Sequence, residues 1–404
     1  MKQCLTMNKL AVLCALACST SYSHSLYAEE ILDTLATGSA WADFRLRYET
    51  VDQDNMADNA NALTLRTLFG VKSGEYKGFS ATIEGEDSRI VLGVGDYSVG
   101  PTGYNVGQYP VIADPETTEL DQAFVQYKHS GWQVKAGRQV ITLDNHRFVG
   151  HVGWRQDRQT FDGITINKQV TDKLSLYYGY LSQRNRIFAE AADIDSNDHL
   201  LHLDYASDMG TFKAYGYLLE TDSAADNGLD TWGVSYANKS KRDQITWHYN
   251  VEYATQQSDV GTASFDADYF SASVKAQLQA VTVGLGYELL GSDDGQYGFA
   301  TPLATLHKFN GWTDQFLATP KEGLEDIYVT VNSQFAGGKW TFVWHEYSAD
   351  DASASVEDLG SELNVQYVTK VAQKITLGAK YGQYFAEDIK ADTSKFWLWV
   401  SARL

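Results

Sequence analysis

Residues 245–253 read Ile-Thr-Trp-His-Tyr-Asn-Val-Glu-Tyr. Every second side chain is apolar or aromatic: Ile245, Trp247, Tyr249, Val251 and Tyr253. Thr246, His248, Asn250 and Glu252 stand between them. A repeat of two sets successive side chains on opposite faces of a strand, whereas a helix repeats near 3.6. This segment is therefore a strand with one greasy face and one wet face. Phe44, Leu46 and Tyr48 within 43–49 repeat the pattern, as do 281–288 and 362–367.

Working outward, eighteen such segments appear: about 41–51, 62–72, 78–87, 120–129, 131–140, 161–169, 173–183, 198–206, 210–220, 230–238, 243–254, 266–276, 281–289, 324–333, 339–348, 359–369, 373–385 and 394–404. Most are about ten residues, the length at which a tilted strand crosses hydrocarbon. Short connections (73–77, 130, 170–172, 207–209, 335–338) alternate with long ones (88–119, 141–160, 184–197, 290–323). An even strand count with turns at one end and loops at the other predicts an all-β fold, a transmembrane antiparallel β-barrel of the outer-membrane kind. Pro101, Pro110 and Pro115 share one long connection, and Pro302 and Pro320 another. None falls in a strand, as an unbroken ladder of backbone bonds requires. Phe396, Leu398, Val400, Ala402 and Leu404 line one face of the last segment, which would close the barrel on the first.

Composition agrees. The chain is 44% hydrophobic, yet no run of 18 apolar residues occurs, which excludes helical spans. A large water-soluble β-sandwich or propeller would also alternate. The uniform strand length and loop rhythm favour the barrel.

The first residues read as an export signal. Lys2 and Lys9 precede the apolar run 10–17, and a small-residue cut follows at Ala28. Residues 1–28 are then a signal peptide, and 29–404 a single barrel domain. Cys4, Cys14 and Cys18 all lie in the leader, so the exported chain has no disulfide or thiol chemistry.

Net charge is −20, which argues against a nucleic-acid partner. The nine connections assigned to the cell exterior (52–61, 88–119, 141–160, 184–197, 221–229, 255–265, 290–323, 349–358 and 386–394) carry 26 acidic and 9 basic residues. The clusters at 193–198, 292–295 and 350–351 suit divalent cations at a lipopolysaccharide surface, although none has the pattern of a high-affinity calcium loop. Outer-membrane lipid and lipopolysaccharide are thus expected surroundings.

Arginine is distributed differently: ten of twelve lie between residues 45 and 186. Alternation puts Arg45, Arg47, Arg66, Lys128 and Lys135 on the wet face, towards the lumen. Inward cations favour anions, and the same arginines are placed to pair with Asp43, Glu49, Glu84 and Glu86. Strict alternation sets Arg138 beside Trp132, Val134 and Ala136 on the lipid side, where it would cost about 2–4 kcal/mol at the midplane. A bulge at Gly137 is expected to turn it inward. Segment 141–160 carries Arg147, Arg155, Arg158, His146, His151 and Trp154. It is expected to fold into the barrel as a constriction. The two histidines lack partners at metal-ligand spacing, so no metal is expected. No Gly-x-Ser-x-Gly or His-Glu-x-x-His occurs, so neither an enzyme nor a cofactor is expected.

Several blocks carry a family resemblance: Ala136-Gly-Arg-Gln139, Asp144-Asn-His-Arg-Phe-Val-Gly150, Val152-Gly-Trp-Arg-Gln156, Gln159-Thr-Phe-Asp162 and His307-Lys-Phe-Asn-Gly-Trp-Thr-Asp-Gln-Phe-Leu317. The chain resembles the alginate export family of outer-membrane proteins. The resemblance implies an eighteen-stranded porin-like barrel with an Arg-lined constriction and, for the founding member, secretion of a polyuronate. The expectation is a passive channel for small anionic or polar solutes, including uronate-containing oligosaccharides. The alternatives are a polysaccharide exporter and a non-conducting structural or adhesive barrel.

Overall fold

A computed structural model describes residues 33–100, 105–223 and 227–404. The signal segment 1–28 lies outside the described residues. In chain order the strands are β1 (Ser39–Gln53), β2 (Ala60–Lys72), β3 (Phe79–Asp96), β4 (Thr117–His129), β5 (Trp132–Gln139), β6 (Thr160–Thr171), β7 (Leu174–Asn185), β8 (Ile194–Ser207), β9 (Gly210–Leu219) and β10 (Asn227–Arg242). They continue as β11 (Ile245–Val260), β12 (Ala263–Leu278), β13 (Val281–Leu290), the two-residue pair β14 (Ser292–Asp293) and β15 (Tyr297–Gly298), then β16 (Leu324–Phe335), β17 (Gly338–Ser353), β18 (Val356–Ala372), β19 (Ile375–Phe385) and β20 (Thr393–Arg403).

All but β14 and β15 form one antiparallel sheet of eighteen strands, each paired with its sequence neighbours. The sheet closes where β1 meets β20, from Asp43 opposite Arg403 to Gln53 opposite Thr393. Closure leaves no sheet edge to face lipid. Each of the eighteen segments expected from alternation coincides with a barrel strand, usually lengthened at one or both ends.

The outer face is apolar: Phe69, Ile83, Val125, Ile164, Val234, Val283, Leu285, Ile327 and Leu398 are all well exposed. Where strands meet the short turns, aromatic pairs form a belt. Phe335 stacks on Trp340 at 5.1 Å, and tilted pairs form between Trp340 and Tyr367 at 4.7 Å, Phe79 and Tyr127 at 4.6 Å, and Phe212 and Tyr236 at 4.9 Å. Tyr236 and Tyr367 donate to the turn carbonyls of Met209 and Ala336. Such rings suit a membrane interface, with an apolar body and a wet tip. The greasy exterior and charged interior are the reverse of a water-soluble β protein.

Arg138 departs from expectation. Gly137 pairs with Phe124 and Gly163 without a register break, so no bulge turns the next side chain. Arg138 stays on the face of Ala136 and Ile164, on the outer wall, one residue from the loop end of β5. Two bonds to Asp162 (2.8 and 3.0 Å) make that position tolerable. It does not line the lumen.

The lumen is not uniformly polar either. Two connections, 140–159 and 291–323, fold inward and pair with each other: Gly150 N–H donates to the Leu303 carbonyl (2.8 Å) and Thr305 N–H to that of His146 (3.0 Å). Val149, Leu303, Phe299 and Phe316 bury against Phe161, Leu181, Leu200, Tyr215, Tyr269, Tyr347 and Tyr384 of the wall. This second core lies inside the barrel and holds the loops against β6–β19.

Gly378 on β19 makes room for this arrangement. A Cβ there would stand 2.0 Å from the Trp399 ring, which meets Trp154 of the inner loop edge-on at 5.2 Å. Gly378→Ala should push Trp399 into Trp154 and cost about 1–3 kcal/mol by overpacking. The expected readout is a lower unfolding temperature in detergent, seen as loss of the compact band on unheated gels. An unchanged temperature would show that the ring has space elsewhere.

Candidate functional site: an arginine-clamped constriction and its vestibule

The wet face of β1 presents Arg45 and Arg47, and segment 153–156 is laid across them. Arg45 donates to Gln156 Oε1 (2.9 Å), to the Gly153 carbonyl (2.9 Å) and to the Arg155 carbonyl. Arg47 donates to the Trp154 carbonyl and pairs with Asp114 from connection 97–116. Asp114 in turn accepts Gln156 N–H (2.9 Å), and Gln156 Nε2 donates to Thr64 Oγ1 (2.8 Å). A guanidinium has five donors in a fixed fork, so two of them can fix a whole loop through its carbonyls.

The remaining sequence-predicted cations are placed as follows. Arg66 pairs with Asp43 at 2.6 Å. Arg147 reaches Glu288 (2.8 Å) and Asn310 (3.1 Å) and lies over the Phe309 ring. Arg155 bridges Glu49 (3.1 Å) and Asp314 (2.8 Å). Arg158 is shared by Asp121 and Glu84. Arg45, Arg47, Arg66, Arg147 and Arg155 are all buried, and Arg158 nearly so. Lys128 and Lys135 face the lumen towards the short-turn end, where the infolded loops do not cover them. The structure thus gathers the arginines round the inner loop and leaves these two lysines apart.

Four residues that sequence reasoning passed over complete the centre. Lys380 on β19 points its ammonium at Trp312 (4.0 Å), Trp154 (4.4 Å) and Trp397 (5.4 Å) and donates to His307 Nε2 (2.7 Å). Because Nε2 accepts, the ring proton sits on Nδ1 and donates to Asp314 (2.6 Å). His307 is accordingly neutral: burial pushes its pKa down to about 3, with Lys380 and Arg155 adding to the push against the pull of Asp314. Burial would raise Asp314, but His307, Lys395 and Arg155 hold its carboxyl well below the usual range. Lys395 of β20 donates to it at 2.8 Å. Lys380 and Lys395 were findable, since alternation in the last two strands puts both on the wet face.

On the loop side of this centre lies a cavity of about 500 Å³. Arg155, His307, Asp314 and Lys395 line it, with Arg186 and Lys390 above and Phe188, Leu306 and Leu317 among its apolar surfaces. Arg186 and Lys390 carry no side-chain ion pair among the described residues, whereas the one carboxylate, Asp314, is already shared by two cations and a histidine. The cavity is positive with greasy walls.

Among the described residues, Asp144, His202 and Asp204 converge as metal ligands do. Lys213 already sits between the two carboxylates, pairing with Asp144 and with Asp204 at 3.2 Å. The group is a charge-balanced anchor for the inner loop. The acidic clusters at the loop end are also partly used internally: Asp198 holds Arg184 through two bonds and Asp350 accepts Ser292 N–H.

Comparison with known proteins fits this geometry. Residues 38–172 match the family model described as "Alginate export". No curated protein matches. Solved structures agree over nearly the whole chain. OccAB4 of Acinetobacter baumannii has a TM-score of 0.72 at 15% identity, covering 91% of this chain and 98% of its own. A BenF-like porin of Pseudomonas fluorescens Pf-5 has 0.71 at 15%, covering 92% and 100%. OpdK of Pseudomonas aeruginosa, solved with vanillate, has 0.69 at 13%, covering 91% and 98%. The chain has the fold of an outer-membrane porin, and it passes through the bilayer many times as strands.

Asp157 supplies a test of the clamp. It is buried and accepts Ala189 N–H at 3.1 Å, but burial and the nearby Glu119, Asp121 and Asp193 raise its pKa to about 8. An unfolded aspartate titrates near about 3.9. A raised value means stability is full below that and is lost as pH climbs towards 8. Asp157→Asn keeps the acceptor and removes the titration. Its unfolding temperature should equal wild type at pH 4 and exceed it at pH 8.5; parallel curves across that range would refute the assignment.

Proposed function

We propose that this protein is a passive outer-membrane channel for small anionic solutes with an apolar body. The positive, greasy-walled cavity above the constriction carries this reading. A solute arriving from outside meets Arg186 and Lys390, which make no side-chain ion pair among the described residues, before it meets the Arg155–Asp314–Lys395 centre. Phe188, Leu306 and Leu317 cover its apolar part, a division of labour usual in ligand pockets. Low-dielectric walls strengthen the field of the two free cations. The vanillate bound to OpdK, a small aromatic carboxylate, is a solute of this description. Outer-membrane lipid and lipopolysaccharide surround the barrel.

Uronate oligosaccharides fit less well than single small acids. The cavity measures about 500 Å³, and a polymer would need both infolded loops to leave the lumen. Those loops are held by buried guanidinium pairs, whose rupture costs several kcal/mol each. The structure therefore favours small-solute passage over polysaccharide export.

Reversal potentials in planar bilayers under a salt gradient should show anion preference. Arg186→Gln with Lys390→Gln should lower the anion-to-cation permeability ratio about two- to threefold per charge at moderate salt. Cation preference in the wild type would overturn the reading.

A further inference from the structure

The cations at the far end of the lumen belong to neither the clamp nor the cavity. Lys72 ends β2, Lys128 lies near the end of β4, and Lys135 stands early in β5. All three are beside the short turns, so on the periplasmic side. All three face inward. Lys72 continues the buried series Thr64, Arg66 and Leu68, and its outward neighbour Val71 is exposed. Lys128 follows buried Gln126 in the same alternation. Lys135 lies over the lumen-facing Phe124 ring at 4.8 Å.

The register makes them neighbours: Lys72 pairs with Thr82, Thr82 with Phe124, over which Lys135 lies, and Lys128 pairs with Gln133, two residues before Lys135. At this depth β3 presents the short side chains of Ser80 and Thr82 to the inner face, opposite Gln126 and Phe124. None of the three lysines makes an ion pair among the described residues. The nearest inward carboxylates, Asp43, Glu84 and Asp121, are held by Arg66 and Arg158. Across the lumen, alternation puts Lys239, Lys275 and Lys339 on the inner face at a similar depth. A chain of charge −20 thus has a basic collar at its periplasmic mouth.

We propose that Lys72, Lys128 and Lys135 form a binding site for a small phosphate-bearing anion with two or more charges. Three like charges on neighbouring strands repel until a counter-charge arrives, and one monovalent anion leaves two of them unsatisfied. The charge count narrows the ligand: ammonium groups are compact point charges that bind phosphate oxygens from any direction, and a phosphate carries the two or more charges that a carboxylate lacks. The site needs a water-filled mouth but does not depend on which solute the outer cavity takes.

Tripolyphosphate is the probe, titrated calorimetrically into the detergent-solubilised exported chain at low salt. Wild type should bind it, with affinity falling as salt rises. Lys72→Gln, Lys128→Gln and Lys135→Gln combined should weaken binding about tenfold or more, a larger loss than Arg186→Gln with Lys390→Gln causes. These lysines are solvent-facing, and an unaltered compact band on unheated gels confirms folding of the triple variant. In bilayers, tripolyphosphate should reduce chloride current from one face of an oriented channel only, and the triple variant should lose that block. Equal binding by wild type and triple variant overturns the proposal, as does loss confined to the Arg186/Lys390 variant. Loss of anion preference in that double variant bears on the cavity alone, so the two readings fail separately.

Discussion

A backbone amide in hydrocarbon has no water to bond, so every strand in the bilayer must find a neighbour on both sides. That constraint explains the β1–β20 seam, and the seam sets the rest. Once the wall is a closed ring, period-two alternation gives it a lipid face and a lumen face. Charged residues on the second face then have only one another, water and infolded chain as partners. Arg45 and Arg47 took infolded chain. Their guanidinium groups bond to three consecutive carbonyls, those of Gly153, Trp154 and Arg155. A loop held through its backbone is fixed in register whatever its side chains do.

The two sides of the lumen hold the loops in different proportions. On β1–β4 the contacts are charged and hydrogen-bonded; on β6–β19 an aromatic and aliphatic core is added to charged contacts such as Arg147–Glu288 and Asp144–Lys213. Neither would suffice alone. Buried ion pairs offset their own desolvation only when every donor is satisfied, and the internal apolar core needs directional contacts to fix one arrangement. Together they make a constriction that does not rely on the long exposed loops. Lys380 belongs to both: its ammonium donates to His307 while three tryptophan faces surround it. A cation there replaces water that would otherwise wet the indoles.

The barrel was legible in the sequence because alternation is local and strong. Trp247, Tyr249 and Val251 declare their face with no knowledge of any neighbour. The site was legible only in part. Arg45, Arg47 and Arg66 could be placed on the inner face by counting, and the composition of 141–160 marked it as a loop unlike its acidic neighbours. What counting cannot give is which distant groups meet. Asp114, Asp314 and Lys395 lie in three separate stretches, and only closure of the ring brings them to one centre. Arg138 shows the converse error. Plain alternation gave its face correctly, and the bulge invoked to rescue it was unnecessary, because Asp162 on the next strand supplies a carboxylate on the outside. The energetic objection assumed a charge at the midplane, but Arg138 lies near the strand end, where the cost falls towards zero.

The basic cations of the second half escaped notice for a related reason. Lys239, Lys275, Lys339, Lys380 and Lys395 come from five different strands, far apart in the sequence. A ring of strands turns sequence separation into angular position, so lysines from distant segments become a girdle. The same holds for acids at the other end, where loops concentrate negative charge on the outside. The net charge of −20 therefore says little about the field along the axis. In the proposed reading, an anion is repelled by the outer surface as a whole and drawn in where Arg186 and Lys390 break it. Past the constriction it would move towards lysines without ion pairs among the described residues. Charge sorted by depth gives the passage a polarity that no sum over the chain contains.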